Sequence, residues 1–194
     1  MFTIILFLIS LALLPLSPQF VLNFKDPLWQ TLINMIMHQV AHGDVWHLLG
    51  NFMYGAPYMI YAEFKLGWKK AAIAFFFSGI IASLLHLSVF HDGGLVGSSG
   101  AIMGMVGVAL SNFRKKRWQR VASMSFFLML LFKEAISLIN MMFLGVSNTA
   151  HIGGLLIGFS LRHLLSPSQK KKQAPVPLPP KECLQQQSSG PQDR

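Results

Sequence analysis

Apolar residues fall into six blocks of roughly membrane-crossing length, separated by short polar turns: Phe2–Leu22, Trp46–Ala62, Ala71–Phe90, Val96–Phe113, Val121–Phe143 and Thr149–Leu165. A helix needs about 20 apolar residues to cross the hydrocarbon core, with ~17 the practical minimum. In lipid every backbone polar group must be paired internally, so such blocks are helices rather than strands. The pattern predicts an all-α, polytopic membrane protein with six transmembrane helices over residues 1–165. The first block reads as a span and not as a cleaved signal peptide, because no Lys or Arg precedes it. Residues 166–194 are rich in Pro, Gln, Ser and Lys and predict a disordered basic tail.

Composition agrees with the blocks. The 194 residues are 53% hydrophobic and 12% charged, about half the charge of a soluble domain, and mean hydropathy is +0.49. The charges that remain are sorted by side. Lys65, Lys69 and Lys70 lie between blocks two and three. Arg114, Lys115, Lys116, Arg117 and Arg120 lie between four and five. Arg162, Lys170, Lys171, Lys172, Lys181 and Arg194 end or follow block six. The opposite loops hold Lys25 against Asp26, Asp44 and Asp92. The positive-inside rule then puts both termini in the cytoplasm. The net charge of +9 is topological in origin, which argues against a nucleic-acid partner and names the lipid bilayer as the surroundings. Cys183 is the single cysteine, so no intrachain disulfide forms. No internal repeat suggests an inverted-repeat transporter.

Polar residues inside the blocks are the candidates for chemistry. Ser99 and His151 enter from the outer face, in the first turns of the fourth and sixth helices. His47 and Asn51 are four apart and share one face of the second. Each has a plain reading alone: serine bonding back to its own helix, histidine or asparagine joining neighbouring helices. Together, at one depth, they suggest a nucleophile and base in a hydrated cavity opening outward. Glycines explain how two helices could come close enough. Gly97, Gly100, Gly104 and Gly107 recur along the fourth, and Gly154 and Gly158 form a small-xxx-small pair on the sixth. His38, His42 and His47 lack a clear fourth ligand, so no metal or cofactor is expected. His86 and His91 have no partner that the sequence identifies and read as structural. Lys133 and Glu134 are adjacent within the fifth block and do not face each other. Either Lys133 snorkels while Glu134 faces the bundle, or one of them hydrates a gate.

Three ordered motifs resemble the rhomboid family of intramembrane serine proteases. They are Gly97-Ser98-Ser99-Gly100, Ala150-His151-Ile152-Gly153-Gly154, and His47-Leu48-Leu49-Gly50-Asn51 with His38 and His42 upstream. The resemblance implies a six-helix rhomboid-like bundle with a Ser99–His151 catalytic dyad. The oxyanion donors it implies are the Ser99 N–H, Asn51 and His47. It implies single-span membrane-protein substrates that are weakly helical near their outer end, entering between the second and fifth helices. Leu28–Val40 would lie half-immersed as an interfacial segment. The minimal six-helix form suits a bacterial inner membrane. Three positions depart from the family pattern. Lys65 in Glu63-Phe64-Lys65 replaces an arginine and forfeits its bidentate fork. Met103 stands where many members carry a tyrosine against the catalytic histidine. No clear Trp-Arg pair is present, Trp29-Gln30 being nearest. The rival reading is a catalytically silent rhomboid-like protein that binds membrane clients. Such relatives characteristically lack the serine or the histidine, and both are present here.

Overall fold

The computed structural model describes residues 1–90, 94–112, 124–125, 128 and 148–161. The first apolar block is not one uniform helix. It is α-helical over Phe2–Leu13 (α1) and tightens into a 3₁₀ segment over Leu14–Phe20. Pro15 and Pro18 account for the change, since proline lacks an N–H and clashes with the preceding turn. α2 spans Leu28–Met37 and separates its faces cleanly. Thr31 and Asn34 are buried, whereas Leu28, Trp29, Leu32, Ile33 and Ile36 are exposed. Asn34 Nδ2 donates to the Val21 carbonyl at 2.9 Å, tying the buried face to the end of the first block. An exposed apolar stripe opposite a polar face is what a segment lying in a membrane surface presents, in keeping with the expectation for Leu28–Val40.

α3 runs Val45–Leu66, four residues past the predicted end at Ala62, and stops at Gly67 with φ +81°. α4 follows over Trp68–Val89. The fourth block does not begin as helix at Val96. Residues 94–98 are non-helical, and α5 starts at Ser99 and continues to Asn112. α6 is Asn148–Ser160. α5 packs most extensively on α6, α4 covers both, α3 lies on α5, and α1 crosses α3. Phe2, Leu48, Met59, Phe75, Ile102 and Met105 fill the main core.

Beside this apolar core many polar side chains are buried, and many large apolar ones are exposed. Ser10, Ser17, Asn34, His38, Gln39, His42, Ser78, Ser83, His86 and Ser98 are buried, while Ile4, Leu8, Met53, Phe64, Ile73 and Phe77 are exposed. Water would penalise that arrangement, and lipid favours it. Among the described residues two helical stretches, Phe2–Phe20 and Trp68–Val89, combine the length and hydropathy needed to cross a membrane. α3 has the length, but His47, Asn51, Glu63 and Lys65 dilute its apolar character. The helical bundle is therefore observed, while the count of six spans rests on the apolar pattern. Most of the fifth block, with Lys133 and Glu134, lies outside the described residues, as do His91 and the 166–194 tail.

Candidate active site

The segment leading into Ser99 is held by three separate ties. Leu95 and Leu22 exchange both backbone hydrogen bonds at 2.9 Å, the Gly97 N–H donates to the His38 carbonyl at 2.8 Å, and the Ser98 side chain meets His42 Nε2 at 3.1 Å. Gly97 takes φ +114°, a conformation that side-chain-bearing residues adopt only with strain. A Cβ at Gly97 would also lie 2.7 Å from His47 Cε1 and 3.6 Å from Asn51 Nδ2. The sharp entry to α5 and the closeness of α3 thus demand the same glycine.

α3 presents His47 and Asn51 to that turn because its first turn is fixed. The Asp44 carboxylate caps it by accepting from the His47 N–H at 2.8 Å. Asn51 Nδ2 is buried and has no hydrogen-bond partner among the described residues. A buried amide donor without a partner costs roughly 1–3 kcal/mol and is a feature in need of a reason.

α5 and α6 approach through glycine. A Cβ added at Gly154 would collide with the Gly100 carbonyl oxygen, and one at Gly158 with the Gly104 carbonyl oxygen. At the N-terminal ends of the two helices a Cβ on Gly100 would touch the Ala150 carbonyl oxygen at 3.5 Å. Gly100 follows Ser99 and Ala150 precedes His151, so the two candidate reacting residues flank one backbone contact. Ser99, His151, His47 and Asn51 are all half-buried. The structure thus gathers His47 and Asn51 at Gly97, and the helix starts carrying Ser99 and His151 at Gly100 and Ala150.

The connector between α2 and α3 supplies the floor, and most of it was not singled out from the sequence. His38 Nδ1–H donates to the Asn34 carbonyl at 2.6 Å, leaving Nε2 to accept from the Ser83 hydroxyl at 2.7 Å. Burial dominates the surroundings of His38 and pushes its imidazole down to about 4, against the backbone contacts at Asn34 and Met35. His42 is likewise held down to about 4, first by burial and then by the neighbouring His47. Both rings are neutral near pH 7, and Ser98 donates to His42. A cavity of about 10 Å³, lined by His38, Gln39, Ser83, Gly97, Ser99 and Ala150, reaches the Ser99 side of this floor. That is room for about one water, and Gln39 Oε1 is buried beside it without a partner among the described residues. Gln39, Ser83 and Ser98 carry no sequence signal of their own. Only the spacing of Gln39 from His38, and Ser98 from Ser99, could have drawn notice.

The structure gives four residues discussed from the sequence their surroundings. His86 is not without a partner: its Nδ1 lies 2.5 Å from Thr149 Oγ1. Met103 packs with Val106, Leu110 and Leu155, and its Sδ receives the Tyr54 hydroxyl at 3.9 Å. The corner expected to loosen at Lys65 is held by Glu63, whose carboxylate accepts from the Phe2 N–H at 2.8 Å and the Thr3 N–H at 3.1 Å. The Lys65 ammonium lies over the Tyr61 and Phe64 rings instead. Trp29 is largely exposed on the apolar face of α2. His38 and His42 bond to Ser83 and Ser98, and the described residues hold no cluster of three metal-ligating side chains.

Comparison with known proteins follows the same lines. The family model described as the Rhomboid domain matches residues 28–168. The chain is 32% identical over 128 residues to RHOMBOID-like protein 6, mitochondrial, of Arabidopsis thaliana, covering 64% of this chain and 40% of that protein. It is 33% identical over 121 residues to RHOMBOID-like protein 1 of the same plant, covering 62% and 31%. With Rhomboid-like protease 5 of Toxoplasma gondii it shares 29% over 132 residues, 66% of this chain and 15% of that protein. The chain spans less than half the length of these relatives.

Proposed function

This chain belongs to the rhomboid family and is a helical membrane protein, and on that premise we propose that it is an intramembrane serine protease acting through Ser99 and His151. The observation that carries this reading is the convergence on Gly97 of two side-chain donors, His47 and the unpartnered Asn51 amide, two residues before Ser99. A donor left unpaired in the resting protein is preorganised for negative charge that appears only during reaction.

In this reading His151 takes the Ser99 hydroxyl proton as Oγ attacks the scissile carbonyl carbon. The carbonyl oxygen, now negative, lies against the Ser99 N–H, His47 and Asn51. Collapse breaks the C–N bond, and His151 returns the proton to the leaving amine. Water, for which the His38–Gln39–Ser83 cavity offers a place, then hydrolyses the acyl-enzyme with His151 again as base. Substrates are single-span membrane proteins whose backbone can unwind near the outer end, because a helix keeps its carbonyls in hydrogen bonds. The active site opens on the outer face with both termini cytoplasmic, as the sorting of basic residues requires. A bacterial inner membrane fits the compact six-helix form. The plant and Toxoplasma relatives do not carry that placement.

Labelling purified protein in detergent with a fluorophosphonate probe tests the proposal. Wild-type protein is expected to label, while Ser99→Ala and His151→Ala do not. Folded wild-type protein that stays unlabelled, beside an active rhomboid protease that labels, returns the reading to a silent client-binding protein.

A further inference from the structure

We propose that His86 is a positioning residue for the His151 base, acting through Thr149. This inference rests on the protease reading and extends it to a residue on a helix that carries none of the reacting groups. His86 sits in the last turn of α4 and is buried, 5% exposed. One face of its ring packs against Phe90 at 5.2 Å between centroids, and its Nδ1 lies 2.5 Å from Thr149 Oγ1. Thr149 is the second residue of α6, two before His151. One turn deeper, a Cβ at Gly153 would meet Leu85 Cδ1 at 2.9 Å and the Ala82 backbone at 3.4 Å. α4 therefore lies directly along the turn that carries His151.

The need for such a contact is physical. The first turn of a helix lacks intrahelical partners for its N–H groups and is its least stable part. A base projected from that turn inherits its motion, and misplacement of about 1 Å can cost on the order of a hundredfold in rate. Met103 gives the imidazole no hydrogen-bonding or stacking ring from α5, because it is packed among Val106, Leu110 and Leu155. The His86–Thr149 contact fixes the turn from the other side, through a side chain already locked by Phe90.

The test compares the rate of fluorophosphonate labelling in the full chain with Thr149→Val, Thr149→Ser and His86→Phe, each beside its melting temperature. Thr149→Val removes the hydroxyl without changing volume and is expected to slow labelling about tenfold, within the range that misalignment produces. Thr149→Ser keeps the hydroxyl and is expected to regain most of the wild-type rate. His86→Phe keeps the ring against Phe90 and should match Thr149→Val. Wild-type rates in Thr149→Val and His86→Phe overturn the proposal. So does Thr149→Ser as slow as Thr149→Val, or a loss of rate that only follows a loss of melting temperature. Wild-type protein that fails to label sinks the protease reading instead. The contact is then judged by the NMR signals of the His151 imidazole, expected to move in Thr149→Val and to return in Thr149→Ser. Unchanged signals in both overturn it.

Discussion

The side of the site formed by α5 and α6 is held backbone to backbone, with Gly154 against the Gly100 carbonyl and Gly158 against the Gly104 carbonyl. The side formed by α3 and the connector before it is held by side-chain hydrogen bonds, Asp44 to His47, Ser98 to His42 and Ser83 to His38. The first side has no room, and its glycine contacts use no side-chain hydrogen bond. The second has partners to lose and some room: a Cβ at Gly50 would meet nothing within 4 Å among the described residues. The contrast suits the chemistry that the proposed function asks of each side. A short serine side chain reaches an imidazole only if two helices nearly touch, which bulk would prevent. Donors for a transient charge must be aimed, and aiming requires hydrogen-bonded neighbours.

The contrast breaks if added volume is tolerated on the glycine side. Gly158→Leu drives a side chain into a backbone carbonyl and is expected to cost roughly 4 kcal/mol or more, read as a loss of folded protein in a thermal melt. On the polar side, Asn51→Ala is expected to slow labelling by ~2.7–4 kcal/mol of transition-state stabilisation. Its melting temperature should hold, because the Nδ2 donor lost has no partner among the described residues. A parallel fall in both would make Asn51 a fold residue. Ser98→Ala leaves the buried Nε2 of His42 unpaired and is expected to lower stability by about 1–3 kcal/mol, measured by the same melt. A weaker effect comes from pH. His42 titrates near 4 when folded and at about 6.5 when unfolded, so the unfolded chain binds more protons between those values. Stability is complete above about pH 6.5 and declines as pH falls toward 4. A melting series from pH 7 to 5 should slope downward, less so in His42→Gln, which does not titrate. The smallest effect is Gly50→Ala, expected to raise stability by up to about 1 kcal/mol through helix propensity alone.

Much of this was legible in the chain. The apolar blocks announced helices because bilayer thickness and backbone pairing leave few alternatives. The glycine spacing on the fourth and sixth blocks anticipated close packing because 3.6-residue periodicity places those positions on one face. His47 and Asn51 were legible as a pair for the same reason. Ser83, Gln39 and Thr149 were not, because each is an ordinary residue whose role depends on what another helix brings to it. His86 was visible as a buried histidine, yet its partner lies 63 positions away, and no local pattern reports such a distance. The break at Leu14 was signalled by Pro15 and Pro18, but its consequence, a segment that places Leu22 beside Leu95, depends on long-range pairing.

The sequence by itself determined the class of molecule and singled out the candidate residues of the proposed site, since those follow from local hydrophobicity and helical period. Tertiary structure alone decided that Gly97 turns with positive φ under His47, that the Asn51 amide is left unpaired, and that α4 reaches the first turn of α6. These are distances between elements remote in the chain, set by which faces exclude lipid most completely when the helices pack.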